Sequence, residues 1–131
     1  MTDHEFTINE AALESLPMPF LVHDHQRVLF VNRAALGMLG ARNKSEVVDK
    51  PLSQIIHPDG REAGAVRRQL VLEGGHPATD IPVKLVGVDG IVRYAIATGV
   101  PIIYGRGHNA ILVTAVLTRI GEEAPGLRPQ E

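Results

Sequence analysis

The strongest constraint on this chain is a turn. Asp80–Val88 and Ile91–Ile103 are two runs rich in strand-forming residues, separated only by Asp89-Gly90. That dipeptide suits the two-residue type I′ turn of a β-hairpin. A third run, Asn109–Ile120, follows across the loop Tyr104-Gly105-Arg106-Gly107-His108. Three long strands joined by short loops commit the last third to an antiparallel sheet, which the upstream residues must complete or cover.

Upstream, Phe20–His23 and Val28–Val31 flank the polar Asp24-His25-Gln26-Arg27, a hairpin with a four-residue loop. Asn9 is placed to cap a short helix, Glu10 to Leu16, stopped by Pro17 and Pro19. Asn32 caps a second, Arg33 to Leu39, with Gly40 as its stop and Ala35, Leu36 and Leu39 as its buried stripe. Ser45 starts a single turn over Glu46–Asp49, which Pro51 breaks, and Ile55-Ile56 is a short buried patch. Pro58 suits the first turn of a longer helix, Asp59 to Glu73, with Gly74-Gly75 beyond it. On that helix Val66 and Leu70 share an apolar face, which is assigned to the core. The order predicts an α+β fold, an antiparallel sheet with its helices packed on one face. Residues 1–10 read as a flexible N-terminus, 11–119 as the domain, and 120–131 as a flexible tail or linker carrying Gly121, Pro125, Gly126 and Pro129.

Composition removes whole classes of function. A chain of 131 residues is one domain as a prior, and Met1 reads as a native start. The lack of cysteine excludes disulfides, thiolate metal sites and cysteine nucleophiles. A net charge of −2 and the absence of Trp leave neither a basic footprint nor stacking platforms for nucleic acid. No apolar run approaches the ~18 residues of a membrane span, and the polar, acidic start is unlike a signal peptide, so a cytoplasmic protein is expected. Ser15, Ser45 and Ser53 lie near helix starts, and no Walker loop, Gly-x-Ser-x-Gly or His-Glu-x-x-His occurs, so no enzyme is expected. His23 and His25 have the i, i+2 spacing of a strand face, but no third ligand completes a metal site.

Three stretches taken in order, LPMPFLVHDHQRVLFVNRAALGMLG, IIHPDGR and IPVKLVGVDGIVRYAIATGVPI, followed by a terminal apolar strand, resemble a PAS domain over about Leu13 to Arg119. The resemblance implies a five-stranded antiparallel sheet cupping short helices, used for sensing and dimerisation in bacterial signal-transduction or transcription-regulatory proteins. One departure stands out. Many PAS domains close on Asp-Ile-Thr, where the Asp ties the core to an outgoing helix, whereas here Val116, Leu117 and Thr118 align. The glycines and prolines beyond cannot continue a coiled coil.

The family's cofactor types are tested by residue. Flavin photochemistry of the light-sensing kind requires a cysteine, which is absent. The long helix has no histidine, so the candidate haem ligand is His57, just before it. Few aromatics are present to stack on a flavin, and no cofactor is expected, with a haem or flavin sensor as a rival reading. Within the implied cup, the pocket candidates are Val31, Val66, Leu70, Tyr94, Ile96, Leu112 and Thr114. They describe a site for a small apolar ligand, oriented by the hydroxyls of Tyr94 and Thr114. The alternative is a filled core with both hydroxyls bonded to backbone, in a purely structural protein–protein module. Arg67-Arg68 suit an acidic ligand or partner, or form the solvated side of their helix. Ala12, Leu13 and Leu16 are apolar at helical spacing outside the cup, which predicts a homodimer; the alternative is that their helix folds back on its own sheet. A downstream output domain or partner protein completes the expected picture.

Overall fold

The structure, a computed structural model, describes residues 9–121. Helix α1 is Glu10–Glu14, followed by the hairpin β1 (Phe20–His23) and β2 (Val28–Val31) and by α2 (Arg33–Met38). Three 3₁₀ turns, Lys44–Glu46, Leu52–Gln54 and Pro58–Gly60, lead into α3 (Arg61–Gly74). Strands β3 (Ala78–Val86), β4 (Val92–Tyr104) and β5 (His108–Ile120) close the domain. The five strands form one antiparallel sheet in the order β2-β1-β5-β4-β3. The expected α+β architecture is therefore present. The N-terminal residues and the tail expected to be flexible lie largely outside the described residues.

The chain crosses from one sheet edge to the other through its helical layer, and it is stitched to both edges. At β2, Asp49 N–H donates to the Val28 carbonyl (2.8 Å) and Leu52 N–H to the Gln26 carbonyl (2.7 Å). At β3, Val86 N–H donates to the Ile55 carbonyl (2.9 Å) and His57 N–H to the Lys84 carbonyl (3.0 Å). These bonds satisfy edge groups that would otherwise be open. They also hold the irregular segments as walls of a cup.

The β3–β4 turn differs from the two-residue turn its sequence suggests. Gly90 has φ +83°, but Asp89 is not left-handed as a type I′ turn requires. Instead Gly90 N–H donates to the Gly87 carbonyl (2.9 Å) and Gly87 N–H to the Ile91 carbonyl (3.0 Å), a wider loop. The reason is an ion pair. The buried guanidinium of Arg93 grips both carboxylate oxygens of Asp89 at 2.8 and 2.9 Å, which draws Asp89 back onto β4. The loop then docks on α2 through Val88 N–H to the Leu39 carbonyl (2.8 Å). A Cβ at Gly87 would lie 2.1 Å from Arg93 Nη1 and 2.8 Å from the Leu39 oxygen, so only glycine allows this approach.

The sheet is apolar on both faces. On the concave face Leu21, Val28 and Val31 pack with Ala35, Leu39 and Leu85. On the convex face Val22, Phe30, Ile102 and Ala110 form a second cluster, against which Leu13 of α1 packs. Asn32 fixes that packing. Its Oδ1 accepts from Phe20 N–H and Ala35 N–H, both at 2.9 Å, and its Nδ2 donates to the Leu13 and Met18 carbonyls at 2.8 and 3.0 Å. The Tyr104 hydroxyl donates to the Glu10 carboxylate, and Lys44 pairs with Glu14. The expectation that Leu13 needs a second chain to cover it is thus corrected: the helix folds back on its own sheet. Ala12 and Leu16 remain exposed.

Candidate functional site

The face that α3 turns to the sheet is Gly64, Arg67, Arg68 and Val71, the i, i+3, i+4, i+7 stripe of an amphipathic helix. Gly64 and Val71 are buried, and the two arginines are half-buried. Val66 and Leu70, assigned to the core from the sequence, point outward at 58% and 56% exposure. The helix is therefore seated the opposite way from its apolar pattern. Two charged side chains occupy positions that a filled core would give to leucine.

Beneath them lies a half-enclosed cleft of about 290 Å³. Leu21 and His23 of β1, Ala97 and Gly99 of β4, and Ile111, Val113 and Ala115 of β5 form its floor. Val83 of β3 and Ile55 form part of its wall. The register accounts for this grouping, because directly paired residues share a face: Leu21 with Val113, His23 with Ile111, Ala97 with Ala115. Ala97, Gly99, Ala115 and Gly64 are too small to fill the space between sheet and helix. At Gly99 even a Cβ would come within 3.0 Å of Ile111 Cγ2.

Polar groups in the cleft are few. His23 is buried, and its Nδ1–H donates to the Asp24 carbonyl at 2.9 Å, which leaves Nε2 as the lone-pair nitrogen. Burial lowers its pKa from 6.5 to about 4. The positive charge of Arg68 and the neighbouring His25 push the same way, against the bond to the Asp24 backbone and the Asp24 carboxylate. Arg68 is itself pushed down, first by burial and then by the like charge of Arg67. Lys84 is engaged by Asp59 at 3.0 Å. Arg67 and Arg68 have no hydrogen-bonding or ion-pair partner among the described residues.

None of the seven pocket candidates lines this cleft. Val31 is fully buried in the concave core alongside Ala35 and Leu39. Val66 and Leu70 face solvent on α3. Tyr94, Ile96, Leu112 and Thr114 stand on the convex face. There Leu112 packs on the second cluster, and the Tyr94 ring sits under the Arg119 guanidinium at 4.1 Å. The Thr114 hydroxyl donates to the Pro19 carbonyl at 2.8 Å. The strand has the expected period of two, but the opposite face is the one turned to the cup. Residues 111, 113 and 115, rather than 112, 114 and 116, look into the cup.

His57, the haem-ligand candidate, is likewise not on the lining. It is buried, and its Nδ1 accepts from Asp59 N–H at 3.0 Å, capping the turn at Pro58. Sequence reasoning did not place His23 in a ligand site. Its one visible signal for the arginines was their spacing between Gly64 and Val71.

Among solved structures, the PAS domain of nitrogen regulation protein NR(II) from Vibrio parahaemolyticus is 25% identical, with a TM-score of 0.65 over 83% of this chain and 96% of that one. A PAS domain from Colwellia psychrerythraea is 17% identical, with a TM-score of 0.69 over 82% of this chain and 92% of that one. A PAS domain from a two-component sensor histidine kinase is 11% identical, with a TM-score of 0.64 over 83% and 92%. No curated protein sequence matches the chain significantly. The family model of the PAS fold matches residues 8–116, and the strand order and helical cup agree with it, so this chain belongs to the PAS family of sensory and signalling domains.

Proposed function

We propose that this chain is the cytoplasmic sensory module of a bacterial signal-transduction or transcription-regulatory protein. It takes up a small, largely apolar molecule in the cleft beneath α3 and passes the change to an output domain or partner protein. The observation that carries this reading is the cleft itself: about 290 Å³ lined mostly by apolar side chains, where a structural module would have a filled core. The module binds its guest and does not transform it.

Haem and flavin fit this site less well than a small guest. The volume lies at the bottom of the ~300–1,000 Å³ range of ligand pockets, and the candidate ligand His57 is not on the lining. Pairing of two copies is part of the proposal, supported by the exposed side chains of Leu16 and Met18 beside α1.

Native mass spectrometry of the purified chain tests both parts. The expected spectrum shows twice the chain mass carrying a small adduct. In Ala97→Phe, which fills the cleft, the adduct disappears while the melting temperature stays near that of the natural chain. No adduct, together with a loss of about 1–3 kcal/mol in Ala97→Phe as overpacking predicts, would establish a filled structural module instead. A monomer mass throughout would remove the dimer.

A further inference from the structure

Resting on the reading of the cleft as a ligand site, we infer that the ligand is a carboxylic acid with an apolar body, its carboxylate held by Arg68 and Arg67 and its body lying against Leu21, Val83, Ile111 and Val113.

The charged groups of the cleft do not all find partners. Five polar or ionisable side chains line the cleft: His23, Asp59, Arg67, Arg68 and Lys84. Asp59 and Lys84 neutralise each other at 3.0 Å. His23 spends its only proton on the Asp24 carbonyl, so it is neutral at physiological pH and brings no charge. Arg67 and Arg68 remain, half-buried, adjacent in sequence and unpaired among the described residues. Half-burying two like charges without a counter-charge is unfavourable, and the helix has an alternative. Turned about its axis, it would bury Val66 and Leu70 and release both arginines to water, exposing only Val71 of its present apolar contacts in exchange. That it does not do so places the guanidiniums where an anion completes them.

The class of anion follows from the remainder of the lining. A guanidinium presents a planar fork of N–H donors that matches the two oxygens of a carboxylate. Away from the arginines the surface is aliphatic, with Leu21, Ile55, Val83, Ile111 and Val113, and Gly64 leaves space beside Arg68, whose Nη1 is 3.5 Å from where a Cβ would be. Beyond the arginines a phosphate dianion would find only Lys84, already engaged by Asp59, while the apolar body of an acid would be desolvated against the aliphatic side chains. The arrangement is that of a monocarboxylate: one charged end and one greasy end.

Isothermal titration at pH 7.5 decides the matter, using straight-chain acids from butyrate to decanoate, benzoate, phenylacetate, the corresponding alcohols, and inorganic phosphate. At least one acid is expected to bind about tenfold or more tightly than its alcohol, with phosphate weaker than that acid. Arg68→Gln should remove the preference for acid over alcohol, bringing the affinity of the best acid down to that of its alcohol. It should also melt no lower than the natural chain in the absence of ligand, since it relieves an unpaired charge. Equal binding of acid and alcohol, or a preference that survives in the Arg67→Gln/Arg68→Gln chain, overturns the carboxylate assignment and leaves the apolar site standing. Phosphate binding as tightly as the best acid overturns the apolar body. Silence from acids and alcohols alike overturns both the assignment and the ligand site on which it rests.

Discussion

At His23 the imidazole gives up water on the concave face of β1 and gains one bond in return, from Nδ1–H to the Asp24 carbonyl. The neutral ring tolerates this and the imidazolium does not, so the pKa falls to about 4. An unfolded chain takes up the proton near the ordinary value of about 6.5. Between those two values the unfolded state binds more protons, so stability rises with pH through the window and is lost as pH falls through it. Above it His23 contributes no pH dependence. The groups facing the ring are Asp24, His25 and Arg68, and the last two oppose protonation. Urea unfolding from pH 7 to pH 4 should therefore show an excess slope in the natural chain over His23→Gln, approaching about 1.4 kcal/mol per pH unit. Parallel profiles would mean that His23 reaches water freely. The sequence shows two histidines two residues apart, which fits His23 on the strand and His25 in the loop. Nothing in it tells which side of the strand is wet, and that alone decides the chemistry of the ring.

The elements divide into those with local signals and those without. Asn9 and Asn32 do cap their helices, Gly75 closes α3 at φ +71°, and the β-strands fall within a few residues of their sequence limits. These features rest on caps, turns and period-2 alternation, which a short window contains. The seating of α3 rests on no such window. Its apolar pair, Val66 and Leu70, and its arginine pair are each spaced for a helix face, and only the cleft beneath selects between them. The β3–β4 loop is similar, because the Asp89-Gly90 signal for a tight turn is overridden by Arg93, four residues from the aspartate. That ion pair is the testable part. Asp89→Ala leaves a guanidinium that is only 5% exposed without its counter-charge, at a cost of about 1–3 kcal/mol, because the carboxylate itself is a third exposed. Arg93→Met on that background should recover much of the loss. The guanidinium also lowers Asp89 to a pKa of about 2, so this contribution persists down to about pH 4 and is lost as pH falls toward 2. Denaturant curves for the two chains measure it, and a loss under about 1 kcal/mol in Asp89→Ala would show that the arginine finds water instead.

At the scale of the whole molecule, the sheet is the frame and α3 the pliable part. The fold class was legible because every local signal agreed with one topology: a hairpin, a run of short helices and three long strands. The face of the cup was not legible, because Val22 and Phe30 on one side and Leu21 and Val31 on the other are equally apolar, and period 2 separates faces without orienting them. The same doubling has a physical consequence. Strand β5 lies between β1 and β4 in the sheet, with a core on each face, whereas α3 buries only Gly64 and Val71 of its 14 residues over a cleft. Local opening should therefore cost less for α3 than for the sheet. Native-state amide exchange should show α3 exchanging at a free energy well below that of β5, which exchanges only on global unfolding. A bound acid adds its binding free energy to every opening that empties the cleft, about 2.7 kcal/mol at a hundredfold excess over the dissociation constant. That increment should appear first and in full at α3, and at the sheet only as the global stability rises with it. Protection in α3 equal to that in β5 without ligand would mean that helix and sheet unfold as one unit. The helix would then be too firmly held to report on what lies beneath it, and the signal would have to leave the domain by another route.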